Sequence, residues 1–107
     1  MIVKERHILD VTADVRSAML RLNDLSGECM TLFAVDADGV LRGTLTDGDL
    51  RRGLIAGAGM DSPVEAVMHR DFKAVRPDSD AFATVAVCRQ KGIMLLPVLD
   101  AEGRIER

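Results

Sequence analysis

An α+β fold built from two copies of one small unit is the architecture this sequence predicts, and three observations carry it. The helix opened by Asp14 has a counterpart opened by Asp80, an offset of 66 residues. The turns Asp36-Ala37-Asp38-Gly39 and Asp100-Ala101-Glu102-Gly103 repeat at an offset of 64, so a difference of two is absorbed between helix and strand. The apolar runs Leu32-Phe33-Ala34-Val35 and Leu95-Leu96-Pro97-Val98-Leu99 are too short to be stable singly. Two such units pack best as a pseudo-symmetric pair, each with a small mixed sheet and flanking helices, each covering the apolar face of the other's sheet.

The elements follow in order. From Asp14, Val15, Ala18, Met19, Leu22 and Leu25 recur at helical spacing and Gly27 ends the run. Leu32 to Val35 then reads as a buried strand closed by the first hairpin turn. A second strand runs through Gly43-Thr44-Leu45-Thr46 into Asp47-Gly48-Asp49-Leu50-Arg51-Arg52, where a helix starts. From Asp80, Ala81, Thr84, Val85 and Cys88 repeat the first helix, and Gly92 stands where Gly27 stood. The boundaries are therefore residues 1–60 and 61–107. Because Gly103 corresponds to Gly39, Arg107 corresponds to Gly43, and the second unit is read as stopping before its last strand and helix, as in a fragment of a longer polypeptide.

Composition excludes several classes. The 107 residues are 48% apolar and 29% charged, enough for one domain-sized core. No apolar run approaches the roughly 18 residues of a spanning helix and no signal sequence opens the chain, so no membrane role and a cytoplasmic compartment are expected. A net charge of −3 and three aromatic residues, all Phe, argue against nucleic acid as a partner. Cys29 and Cys88 lie in apolar settings and are read as reduced, packed thiols. His7 and His69 lack the partners of a zinc site or a nucleophile and are read as structural or solvated. The two Asp-rich turns lack the loop length and terminal Glu of an EF-hand. Gly53, Gly57 and Gly59 lack the Lys-Ser/Thr of a phosphate loop. No catalytic, metal or cofactor constellation is read in these residues.

Thr46 and Asp49 admit two readings. A hydroxyl and a carboxylate three residues apart at a helix N-terminus can hold a ribose beside a phosphate. The same Thr-x-x-Asp spacing also fits a capping box, with Thr46 as cap and Asp49 reaching back to its amide.

The order and spacing of these motifs resemble tandem CBS repeats, the Bateman module, over essentially the whole chain. Gly43, Thr46 and Asp49 match the Gly-x-x-Thr/Ser-x-x-Asp signature that ends a repeat, Asp61-Ser62-Pro63-Val64-Glu65-Ala66-Val67-Met68 resembles the short helix that opens a second one, and Gly92-Ile93 through Leu96-Pro97-Val98-Leu99-Asp100 is similar to its middle strand. The resemblance implies a regulatory module for AMP, ADP, ATP or S-adenosylmethionine, with an attached catalytic domain and a homodimer formed through helices. It implies a nucleotide site drawn from Thr44, Thr46, Asp49, Arg51, Met94 and Leu95. Met94 and Leu95, like Met30 in the first repeat, are apolar where phosphate-binding residues often stand, and an anion facing them would be desolvated without a partner. Arg51 and Arg52, with His69 and Arg70, are the remaining cations for a phosphate; Arg51 and Arg52 read equally as a solvated face pairing with Asp47 or Glu65. Residues 43–54 resemble the CBS pairs fused to sugar-phosphate nucleotidyltransferases and, somewhat less, those of arabinose-5-phosphate isomerases. A pair that opens at Met1 favours the nucleotidyltransferase arrangement. The other reading is a dimerisation element with a vestigial cleft, in which Met19, Met30 and Met94 serve as adaptable core.

Overall fold

The computed structural model describes residues 5–25, 30–78, 80–90 and 95–106, with the side chain of Cys88 outside that description. Met94, Cys29 and the two helix-ending glycines Gly27 and Gly92 also lie outside the described residues.

A 3-10 turn at Glu5–His7 leads into β1, Ile8–Asp10. Helix α1, Val15–Asp24, starts where the Asp14 carboxylate accepts the Ser17 amide at 2.8 Å, which satisfies one of the N–H groups a helix start leaves without an internal partner. Its buried stripe is Val15, Ala18 and Leu22; Met19, on the expected apolar face, is instead among the exposed residues. Strand β2, Thr31–Val35, pairs parallel to β1 and antiparallel to β3, Leu41–Thr46, giving a three-stranded mixed sheet with β2 at its centre. A central strand is covered on both faces, which is why Leu32 to Val35 reads as an unbroken apolar run. Leu32 and Ala34 face the helices, where they join Val15, Leu22, Leu45 and Leu50. Phe33 faces the other way, onto Leu95, Leu99 and Ile105 of the second repeat.

The register of β2 on β3 slips between Ala34 and Val35, leaving Arg42 as an extra residue. That bulge changes the phase of the strand, so Leu45 packs under the helices while Leu41 joins the core between repeats.

The second repeat uses the same order of pairings in shorter form. Val75 and Val98 bridge in parallel, and Leu99 and Ile105 bridge antiparallel, as β1, β2 and β3 do. Its helix α3, Ala81–Gln90, lies where the repeat places it. The two turns are built alike. Asp36 accepts the amides of Asp38 and Val40, and Asp100 those of Glu102 and Arg104, while Gly39 and Gly103 take φ of +81° and +84°. These two positions need a residue without Cβ.

The turns also meet. Val40 bridges Arg104, its own counterpart at the 64-residue offset, so this contact marks the pseudo-twofold axis. The Leu41 amide donates to the Gly103 carbonyl at 3.0 Å and Arg104 Nε to the Asp38 carbonyl at 2.8 Å. The segment read as a helix opening the second repeat forms a single 3-10 turn, Val64–Ala66, and Val64 and Met68 sink into the core beneath α1. Amides of Val15 and Arg16 donate to the carbonyls of Ser62 and Met60, fastening that segment to the start of α1.

Candidate functional site

The candidate site lies where β3 runs into helix α2, Asp47–Ile55. Directly opposed residues of an antiparallel pair share a face, so Thr44 opposite Phe33 and Thr46 opposite Thr31 lie on the side of the sheet that meets the second repeat. Thr44 is held there by a reciprocal backbone pair with His69, its N–H donating to the His69 carbonyl at 2.9 Å and its carbonyl accepting the His69 N–H at 2.8 Å. Beside it Gly43 leaves no room for a side chain, since an added Cβ would sit 2.6 Å from the Met68 side chain.

Thr46 caps α2 in a full capping box. Its Oγ1 accepts the Asp49 amide at 3.3 Å, while Asp49 Oδ2 accepts the Thr46 amide at 2.9 Å and the Thr46 hydroxyl at 3.0 Å. The other oxygen, Asp49 Oδ1, accepts from Arg52 Nη2 at 2.9 Å. The carboxylate is 14% exposed and the Arg52 side chain 71%. Thus the two readings of Thr-x-x-Asp meet in one group, and the cap is realised with both carboxylate oxygens engaged.

The other expected residues fall at different places. Arg51 donates to Asp47 at 2.7 Å across one helical turn, with both side chains mostly in solvent. Leu95 is 3% exposed in the core between repeats, packed with Phe33 and Leu41 rather than presented to a ligand. Met94 lies outside the described residues. Met30 is exposed just before β2. His69 and Arg70 are exposed at the joint, and Arg70 donates to the Glu65 carbonyl at 2.9 Å. The structure therefore gathers Thr44, Thr46, Asp49 and Arg52 at one end of the sheet, with Arg51 turned to Asp47. Spacing from Asp49 placed Arg52 within one turn, yet the sequence carries no sign of which acid it meets. Thr31, opposite Thr46, precedes the apolar run Leu32 to Val35 and carries no signal of its own in the sequence.

The fold is that of CBS domain pairs. The chain superposes on a CBS domain pair/ACT domain protein from Thermotoga maritima with a TM-score of 0.74, 19% identity and coverage of 98% of this chain and 81% of that one. On the acetoin utilization protein AcuB from Vibrio cholerae the TM-score is 0.77 at 21% identity, covering 98% and 82%. A CBS domain pair solved with 5′-methylthioadenosine and S-adenosylmethionine matches with a TM-score of 0.68 at 20% identity, covering 92% and 78%. No family model matches the chain. In sequence it is 35% identical over 96 residues to the arabinose 5-phosphate isomerase GutQ of Shigella flexneri and 34% to that of Escherichia coli K12. These matches take in 89% of the chain and 29% of each relative, so the chain spans under a third of their length.

Proposed function

We propose that this chain is a regulatory module that takes an adenosine-type ligand at the β3–α2 junction and passes its occupancy to an attached catalytic domain. The observation that carries the reading is the largely sunken Asp49 carboxylate, bonded to Thr46 on the inter-repeat side of a CBS-pair fold. An ionised carboxylate accepts hydrogen bonds and cannot donate them, which suits the paired hydroxyls of a ribose. Structural neighbours solved with AMP, with ATP, and with methylthioadenosine and S-adenosylmethionine support an adenosine-type ligand and leave its tail open. Leu95 is packed in the core and Arg51 is engaged by Asp47, so the described residues offer the tail of AMP, ADP or ATP little besides Arg52 and the His69-Arg70 joint.

A thermal-shift panel of adenosine, AMP, ADP, ATP and S-adenosylmethionine tests the reading, since a ligand that binds only the native state raises its midpoint. Stabilisation by adenosine compounds that vanishes in Asp49→Ala supports it. No shift with any member of the panel favours the alternative, a dimerisation module with an empty cleft.

For the attached domain we favour a sugar-phosphate isomerase, because the likeness to GutQ runs through 89% of the chain. The resemblance of residues 43–54 to nucleotidyltransferase-linked CBS pairs supports the second reading. Assaying the polypeptide that carries this module for isomerisation of arabinose 5-phosphate and for nucleotidyl transfer to a sugar phosphate separates the two. We place the module in the cytoplasm and assign it a homodimer formed through its helices, with α3 supplying exposed apolar side chains.

A further inference from the structure

Asp49 is claimed from two sides, and the claims differ in strength. Its Oδ2 is tied to the backbone and hydroxyl of Thr46 within the cap. Among the described residues its Oδ1 is held only by the guanidinium of Arg52, a long side chain that is 71% exposed. A carboxylate has about four acceptor positions, and the described residues fill three. A ribose presents two neighbouring hydroxyl donors. One existing partner must therefore leave before a diol can bind Asp49 with both, and Arg52 is the partner that can leave without undoing the helix start.

A second observation concerns Gly48. A Cβ built there would lie 3.1 Å from Arg52 Nη1 and 3.4 Å from Nη2, so the guanidinium folds back over the bare backbone of the first helical turn. Gly48 thus makes room for the conformation in which Arg52 reaches Asp49. The neighbouring Arg51 is turned to Asp47 and does not compete.

We infer that Arg52 is a built-in competitor of the ligand, a specificity-determining residue that occupies the diol-binding oxygen of Asp49 until a ribose displaces it. The inference rests on the ligand class proposed above. Arg52→Met keeps the aliphatic stem and removes the competing cation, so adenosine, which has no charge of its own, binds about two- to fivefold more tightly. Gly48→Ala, which makes the guanidinium give by a few tenths of an ångström without altering either charged side chain, shifts affinity in the same direction and by less. Salt supplies a third readout. Screening weakens an exposed ion pair, so raising NaCl from about 0.05 to about 0.5 M strengthens adenosine binding to the wild type and leaves Arg52→Met unchanged.

Isothermal titration of adenosine into the wild type, Arg52→Met, Gly48→Ala and Asp49→Ala decides the matter. Tighter binding in the first two variants, with loss in the third, supports the competitor. Unchanged or weaker binding in Arg52→Met, while Asp49→Ala still abolishes it, overturns the competitor and leaves the ligand class standing. Adenosine binding that is absent, or indifferent to Asp49, overturns both.

Discussion

Asp49 sits in the capping box of α2 and is also the group proposed to hold a ribose, so substitutions there act on stability and affinity together. Removing the carboxylate in Asp49→Ala takes away the return bond to the Thr46 amide and lowers stability by about 1 kcal/mol. If it also holds both ribose hydroxyls, two charge-assisted bonds are lost; at about 1.5–3 kcal/mol for each, adenosine or AMP binds at least about a hundredfold more weakly. Thr46→Ala removes a neutral hydroxyl, so its affinity loss is smaller while its stability loss is similar. Denaturation and titration of the same two variants check this. An affinity loss in Asp49→Ala no larger than its stability loss would reduce Asp49 to a cap. Asp36 permits a prediction in pH. The Arg42 guanidinium 2.8 Å away, helped by the Val40 and Asp38 amides, holds its carboxyl below the ordinary 3.8. A carboxylate whose folded pKa is depressed adds stability that is complete above the unfolded pKa and is lost as pH falls through the folded one. Thermal midpoints followed from about pH 6 to about pH 3 should therefore fall more steeply below about pH 4 in the wild type than in Asp36→Asn, where no charge is titrated.

At the scale of the elements, the packing of α2 turns on one glycine. Gly53 lies in the interior of α2, where replacing glycine by alanine ordinarily stabilises a helix by about 0.5–1 kcal/mol. Here an added Cβ would stand 2.4 Å from Val67 Cγ1 and 2.7 Å from its Cβ. A β-branched side chain has little rotational freedom to retreat, and overpacking of this kind costs about 1–3 kcal/mol. The contact outweighs the propensity, so Gly53→Ala is expected to be less stable than the wild type by about 1–2 kcal/mol in urea denaturation. A more stable variant would show that the Val67 segment yields freely. The sequence told much about the elements and less about such contacts. Helix α1, strand β2 and both Asp-rich turns are local in origin, written in periodicity and turn chemistry, and were legible. The bulge at Arg42 was not, because it is set by which strand β3 meets. Nor was the burial of Leu95, whose place depends on the other repeat's Phe33. The segment after Asp61 illustrates the same limit. The family resemblance implied a short helix there, but Val64 and Met68 serve the first repeat's core, and the segment forms only a 3-10 turn. Within the site, Thr46 and Asp49 were legible as a pair because capping and ribose binding demand the same spacing, whereas the partner of Arg52 depends on the rotamer that Gly48 admits.

The whole molecule is organised about the bridge between Val40 and Arg104, which joins two equivalent turns and lets each repeat close the other's sheet. Around that axis burial is uneven. Helices α1 and α2 share a core through Val15, Leu22 and Leu50, while α3 leaves Phe82 90% exposed, with Val85 and Val87 also among the exposed residues. Phe82 and Val85 are three residues apart and so lie on one side of the helix. Water around Phe82 and Val85 is unfavourable by an amount that a partner surface can recover, at about 25 cal/mol for each Å² covered. A twofold arrangement satisfies this with one patch, because α3 of each copy can cover its mate, and this is the basis of the proposed homodimer. Phe82→Glu places a charge at the centre of that patch. Since Phe82 is outside the core, the substitution should leave the folded repeat intact and act on association alone. Sedimentation velocity over a range of concentrations is expected to show the wild type passing from monomer to dimer, with Phe82→Glu remaining monomeric where the wild type is dimeric. The change should amount to at least tenfold in the association constant, as follows from losing more than about 1.4 kcal/mol of apolar burial and adding repulsion between like charges. Identical sedimentation of the two proteins, either both monomeric or both dimeric, would remove α3 from the interface.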